Sequence, residues 1–544
     1  MYIKSVIIWT LLLGLLVSQV EMNYSYEMRY GNGQQKLSDG SMRDYSYFEN
    51  LMDLNLQLTE KSYFFTQFEY SDPPIIGSSH NNLNQSINTG YIEYTDESYE
   101  LRAGNIYTLY GNGLTIYTYQ DQNIDYDNSP LGLEGKYYFP SDITLSGLMG
   151  INNHEFRSSP NDTIPSLSIE NQFAGVEISY YHEKVGETRY FLMVQESVVN
   201  GNQVEDLTGL DNAFAHELNE RLQAEGLFNP GNDTILTLDY ELSWNKSFDN
   251  FDLTVNNVFS FYDKIHGDRI SGNRFYASVN MELFGNQLVY EYKNYDTPYQ
   301  IPVYYNPPVG YREANSVLLS RNVRSIDFTD EIGHQIEINR SYPNGLNLLL
   351  NLSQANNHGY YSDALTPRFL DLLLMKNVDN YKKYRPFRQI YVETNGWFWD
   401  NVYCKIGLDS YEEYSPGGHY RAFTIPSQFT YDMQNGNSIA SYLEYQIKEK
   451  IYETAESDNY NQLYSSLSFN YQGKWSLTAI YEQENHDQEN DIWVGSDLTA
   501  NIGSSSQISL FYGSQKGGLV CANGSCVILP DFENGLRVTI RSIF

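Results

Sequence analysis

Hydrophobic and polar residues alternate along most of this chain with a period of two. Met52, Leu54, Leu56 and Leu58 are separated by Asp53, Asn55 and Gln57. Leu236, Leu238, Tyr240, Leu242 and Trp244 are separated by Thr237, Asp239, Glu241 and Ser243. Phe275, Ala277, Val279, Met281 and Leu283 stand against Ser278, Asn280 and Glu282, and Leu463, Leu467, Phe469 and Tyr471 against Tyr464, Ser466, Ser468 and Asn470. Successive side chains of a strand point to opposite faces, so each run is a strand with one apolar and one polar face. The C-terminal run behaves alike: Leu536, Val538, Ile540 and Phe544 share one parity, and Arg537, Thr539 and Arg541 the other. Runs of about ten residues match a tilted strand that crosses the hydrocarbon layer.

Short turn signals punctuate these runs. They fall near Thr59-Glu60, Asp96-Glu97, Pro140-Ser141, Lys184–Gly186, Phe248-Asp249, Gly285-Asn286, Pro343-Asn344, Asp400, Asn435-Gly436, Gln472-Gly473 and Gly503-Ser504. Eleven hairpins and one free strand at each end predict about 24 strands, within a range of 22–26, with both chain ends on one side. Longer polar connections on the other side complete the pattern of an outer-membrane barrel. A soluble barrel of this size would enclose an apolar cavity too wide for side chains to fill. The apolar face must therefore point into lipid and the polar face into the lumen. The expected fold is an all-β, antiparallel, up-and-down transmembrane β-barrel with short periplasmic turns and long extracellular loops. The alternative, a soluble sandwich, would mix its loop lengths.

Tryptophan position adds an independent signal. Trp244, Trp397, Trp399 and Trp475 each lie close to a short turn, where an interfacial girdle belongs, whereas Trp493 has lumen parity. The 50 tyrosines are hard to bury in a soluble core and suit a membrane interface. A net charge of −34 argues against a nucleic-acid partner. The apolar run Ile7–Val17 behind Lys4 is too short to span a bilayer and matches a secretory leader, so residues 1–20 are expected to be a signal peptide. One barrel domain over residues 21–544 follows, with strand one starting too early to leave room for an N-terminal plug.

Four connections are long: 108–129, 200–234, 299–333 and 357–383. Helical signals lie at Ala213–Leu222 and, behind Thr366-Pro367, at Phe369–Met375. Twenty-four strands make a ring roughly 45–50 Å across, and a hole of that size would abolish the membrane as a barrier. The chain's own loops must narrow it. The apolar content of 200–234 and 357–383 predicts that at least one of these folds inward.

The stretch Gly104-Asn-Ile-Tyr-Thr-Leu-Tyr-Gly-Asn-Gly-Leu114, followed by an Asp-rich segment, resembles an uncharacterised family of large Gram-negative outer-membrane β-barrel (porin-like) proteins. The resemblance implies location and fold, and no activity. By strand count the barrel is also similar to fimbrial ushers, which add a plug and periplasmic domains for which this chain leaves no sequence.

Parity sends Asp53, Glu69, Glu93, Asp239, Glu241, Asp252, Glu282, Glu337, Glu393 and Asp497 to the lumen, with Arg102, Lys405, Arg537 and Arg541. An acidic lining sets the sign of a permeant and predicts a porin-like channel for small polar or cationic solutes. The alternative for these acids is local pairing on a solvated wall. Asp121, Asn123, Asp125 and Asp127 carry oxygens at alternate positions, like the start of a calcium loop, but Tyr126 replaces its glycine and no Glu closes it. A plain acidic loop is the competing reading, so the expectation is no cofactor, with Ca2+ as the one candidate. Gly111-Asn-Gly113 reads as a tight bend, since no helix or lysine follows to make a phosphate loop. Cys521 and Cys526, five residues apart in an exported chain, predict a local disulfide, and Cys404 sits on an apolar strand face. Nine scattered histidines give no catalytic or metal motif, so no enzyme activity is expected. Phe544 is the expected signal for the barrel assembly machinery, and lipid is the expected surround. The second reading of function is a binding or assembly barrel, a surface receptor or a scaffold for a secreted protein or lipoprotein.

Overall fold

A computed structural model describes residues 21–36, 40–72, 89–122, 126–156, 167–199, 233–264, 270–297, 304, 306–312, 316–322, 330–358, 385–415, 418–433, 435–452, 457–486, 489–522, 525–529 and 531–544. Twenty-four strands, from Glu21–Lys36 to Phe532–Ile543, form one sheet. Each pairs antiparallel with the next in the chain. The first and last strands close the ring, with Ser25 opposite Ile543 and Gly31 opposite Arg537. Beyond them Phe544 and Tyr24 exchange backbone hydrogen bonds of 2.8 and 3.0 Å, and their rings stack at 4.9 Å. A closed ring leaves no sheet edge, which is what a backbone in hydrocarbon requires. No helix among the described residues is long and apolar enough to cross a membrane.

All eleven hairpin turns stand where the sequence predicts them. At the turn between Ser457–Tyr471 and Trp475–His486, Gln472 and Gly473 both take positive φ, 48° and 67°. Two left-handed residues in a row match the twist of the flanking strands, and this is why a polar residue followed by glycine marks the spot. Connections at the opposite end vary in length. Only residues 416–417 separate Tyr414-Ser415 from the next strand, and only 487–488 separate His486 from Glu489.

The polarity is inside-out. On Asp233–Ser247, Leu236, Tyr240 and Leu242 are 40, 44 and 47 % exposed, whereas Thr237, Asp239, Glu241 and Ser243 are at most 6 % exposed. The same face as Leu236 carries Leu238. Trp397, Trp399 and Trp475 are exposed at the short-turn end, as the girdle reading requires, and the Trp244 indole N–H caps the turn carbonyl of Val185 at 2.8 Å. Trp493 is buried on the inner side, as its parity predicts, with Lys516 over its ring. Cys404 is a buried free thiol among the outward Ile406 and Leu408.

Candidate functional site

The lumen is occupied by two of the protein's own connections. The first is Ile106–Pro130. Its apolar residues have no place in a solvated loop, and Ile106, Tyr110, Leu114 and Ile116 are at most 3 % exposed. Tyr110 stacks on Phe191 of the wall, centroids 4.6 Å apart and planes 8° apart, and its hydroxyl donates to Glu134 at 3.1 Å. Leu114 fills a cluster with Val258, Tyr276 and Tyr295. Full burial of one such leucine contributes about 1.5–3 kcal/mol. Thr115 donates to Glu241 at 2.5 Å. Glu241 lies six residues from the short-turn end of its strand, about 20 Å along it, so the loop reaches the middle of the barrel.

The tip of this loop is Gly111-Asn112-Gly113, a single 3-10 turn whose three residues all have positive φ. The tight-bend reading of the motif is the one realised. A Cβ on Gly111 would lie 2.3 Å from the Glu241 carboxylate, and one on Gly113 2.3 Å from the Asn306 carbonyl oxygen. Only glycine permits that approach at either place.

The second connection is described at 304, 306–312 and 316–322. Tyr304 packs on Phe173 at 4.7 Å, and its carbonyl accepts the Tyr117 amide. The Pro308 carbonyl accepts the Tyr295 hydroxyl at 2.9 Å. Farther along, the Arg312 guanidinium lies 4.3 Å over the Tyr391 ring and 3.8 Å from Glu393. Glu444 then receives the Ser316 hydroxyl at 2.8 Å and the amides of Leu318 and Leu319, each at 2.9 Å. Arg321 closes the run with a two-pronged ion pair to Glu482. Charge-assisted bonds of this kind are stronger than neutral ones. Together the two connections touch the wall from Gln67, which accepts from Gln120, to Glu482, which pairs with Arg321.

Two of the four long connections named from the sequence, 108–129 and 299–333, thus supply the inward segments. The lumen is narrowed by the chain's own loops, but the described segments that do so are 106–130 and 304–322. The loops 200–234 and 357–383, with their helical signals, lie outside the described residues.

The predicted lumen residues do not form one anionic ring. Glu93 is paired with Arg102 at 2.6 Å, Asp239 with Arg274 at 3.3 Å, and Glu393 with Lys405 at 3.1 Å. Asp53 accepts from Ser25 and Gln67, Glu69 from Ser71, and Glu337 from Asn339 and Asn351. Asp497 accepts from Thr499 and Ser509, each at 2.7 Å. Asp252 and Glu282 are exposed beside short turns. Arg537 lies 4.2 Å over Phe511, and Arg541 pairs with Glu27 at 3.1 Å. Glu93, Asp239 and Glu393 thus carry an ion pair, whereas the bonds to Asp53, Glu69, Glu337 and Asp497 come from neutral donors, which leave a carboxylate's charge in place. Sequence reasoning missed the cations Arg189, Arg274, Lys293 and Lys448 on the same inner face. Parity alone places them there.

Of the calcium candidate, Asn123 and Asp125 lie outside the described residues. Asp121 sits opposite Tyr126 in a two-residue bridge. The Asp127 carboxylate is taken up by the Tyr107 hydroxyl at 3.0 Å and the Ser129 amide at 2.7 Å. Burial raises its pKa from the ordinary aspartate value, against the pull of those donors. Cys521 and Cys526 face each other as direct partners in the hairpin Gly518–Ala522 and Ser525–Leu529.

A closed ring with an apolar exterior and a polar, filled interior is an outer-membrane β-barrel. A family described as "Family of unknown function (DUF6029)" matches residues 5–217 and 236–544. No curated protein matches the sequence. Among solved structures, the P pilus usher (PapC) translocation pore is similar at 9% identity over 96% of this chain and 99% of that one, with a TM-score of 0.43. The ferric enterobactin receptor PfeA of Pseudomonas aeruginosa matches at 9% identity, 96% and 81% coverage and a TM-score of 0.46. The copper transporter OprC matches at 8%, 96% and 80%, with a TM-score of 0.45.

Proposed function

The chain belongs to the family of unknown function DUF6029, and we propose that it is a channel for small polar solutes, held closed by its own loops. The observation that carries this reading is the docking of two inward loops at mid-depth against a polar wall. A polar wall hydrates a permeant, and a packed but locally held plug is an element that can move. Ion pairs hold Glu93, Asp239 and Glu393, and neutral donors orient other wall acids, so the reading rests on the wall's polarity rather than on its sign. The short turns and both described ends of the chain face the periplasm in this reading, and Phe544 at the seam is the residue that the assembly machinery engages. No catalytic step forms part of it.

Reconstitution tests the proposal. Purified protein in planar bilayers should show a low baseline with discrete openings, and liposomes containing it should swell in small sugars and amino acids. A protein partner that co-purifies in fixed proportion from native membranes, with no openings and no swelling, would favour the binding or assembly barrel instead.

A further inference from the structure

Beyond the point where Arg321 meets the wall, a cavity of 360 Å³ opens at the end of the barrel opposite the short turns. It is lined by four cations, Arg321, Lys448, Lys450 and Lys516, in a chain whose net charge is −34. Two of the four are compensated: Arg321 by Glu482, and Lys516 by Glu484. Lys448 and Lys450 form no ion pair among the described residues. They project from the same face of Ser438–Ile451, about 7 Å apart along the strand. Lys448 lies 5.7 Å from the Tyr460 ring centroid, and Lys450 lies 5.1 and 4.5 Å from those of Tyr420 and Tyr452, whose hydroxyls it also meets by hydrogen bonds. The other acid lining the cavity, Asp458, accepts the Tyr452 hydroxyl at 2.6 Å.

Lys448 stands beside the cations Lys516 and Arg321 on a partly desolvated wall, and the nearby Glu484 carboxylate compensates only part of that repulsion. An anion between them would remove it. Its oxygens would meet two lysines, while the tyrosine rings would give it apolar sides. We infer that this cavity binds a small organic or inorganic anion bearing carboxylate or phosphate oxygens. The site is opposite in sign to the acidic residues of the wall. Arg321 is carried by the inward connection, so one wall of the site belongs to the plug. The inference goes beyond the channel reading and does not depend on it, since a receptor could use the same pocket.

Calorimetric titration of the detergent-solubilised protein at low ionic strength tests it, with succinate, inorganic phosphate and glucose as separate probes. Succinate, phosphate or both should bind saturably, glucose should not, and added salt should weaken binding. Which anion binds identifies the oxygen chemistry. The pair Lys448→Gln and Lys450→Gln should weaken binding about tenfold or more, the loss expected for charge-assisted contacts. The pair Lys448→Arg and Lys450→Arg, which keeps both charges, should retain it. Heat-modifiable electrophoretic mobility checks that each variant is a folded barrel. Absence of binding by both anions, or unchanged affinity in the folded glutamine pair, would overturn the inference.

Discussion

The amide of Asn306 donates to the carbonyl of Gly113 at 3.0 Å, joining two connections that leave the barrel wall far apart in the chain. Gly113 has φ +82°, and a Cβ there would meet the Asn306 carbonyl oxygen at 2.3 Å. The contact is between backbones, so neither side can yield by rotating a side chain. Together with the bond from the Tyr117 amide to the Tyr304 carbonyl, this junction joins the two loops.

Gly113→Ala should therefore undock the loop tips while leaving the barrel intact. The left-handed conformation and the clash together cost about 1–3 kcal/mol. We expect faster hydrogen exchange in residues 106–130 and 304–312, with strand protection unchanged. Wild-type exchange throughout the plug would show that the junction is dispensable.

Glu444 holds the second connection by accepting from Ser316, Leu318 and Leu319. Glu444→Ala leaves two buried amides without an acceptor, at about 1–3 kcal/mol each. Residues 316–322 should become sensitive to added protease in detergent, whereas the barrel should not. If that segment stays resistant, Glu444 is not its latch.

Register on the wall can be tested at two adjacent residues. Leu238 faces outward, and Leu238→Arg should destabilise the barrel by about 2–4 kcal/mol if it lies near the bilayer midplane. From parity alone, Asp239→Asn would be a mild change on a wet wall. The buried pair with Arg274 at 3.3 Å makes it severe, at about 3–5 kcal/mol. The double variant Asp239→Asn with Arg274→Gln should recover part of that loss, as coupled neighbours do. Strict additivity in urea unfolding would count against the pairing.

How much of this was legible in the sequence follows from the two solvents of a barrel strand. Lipid on one side and the lumen on the other impose period two on every strand, so Leu236 to Trp244 betray both the strand and its orientation. The turns were equally readable, because residues such as Gln472-Gly473 must take positive φ. Loop destinations were less so. Ile106, Leu114 and Ile116 carried the signal, as apolar residues that a solvated loop has no use for. Their partners, Val258, Tyr276 and Tyr295, are distant in the chain, and no local pattern joins them. Lys448 and Lys450, which the sequence reading did not single out, have inner-face parity, but only the closed ring brings Arg321 and Lys516 beside them.

Cys521 and Cys526 are direct partners across a hairpin, which supports the disulfide expected from their spacing. Intact-mass analysis of exported protein should show the mass rising by two hydrogens on reduction. Two free thiols that alkylate without reductant would rule the bond out.

Closure of the lumen by the two inward connections, as proposed above, can be read directly by single-channel recording. Wild-type protein should be recorded beside a variant in which residues 108–128 and 306–320 are replaced by short Gly-Ser linkers. The wild type should stay mostly closed and the variant should show a large, steady conductance, as befits a ring roughly 45–50 Å across. A wild type that is already widely open, or a folded variant that conducts no more than wild type, would contradict that closure.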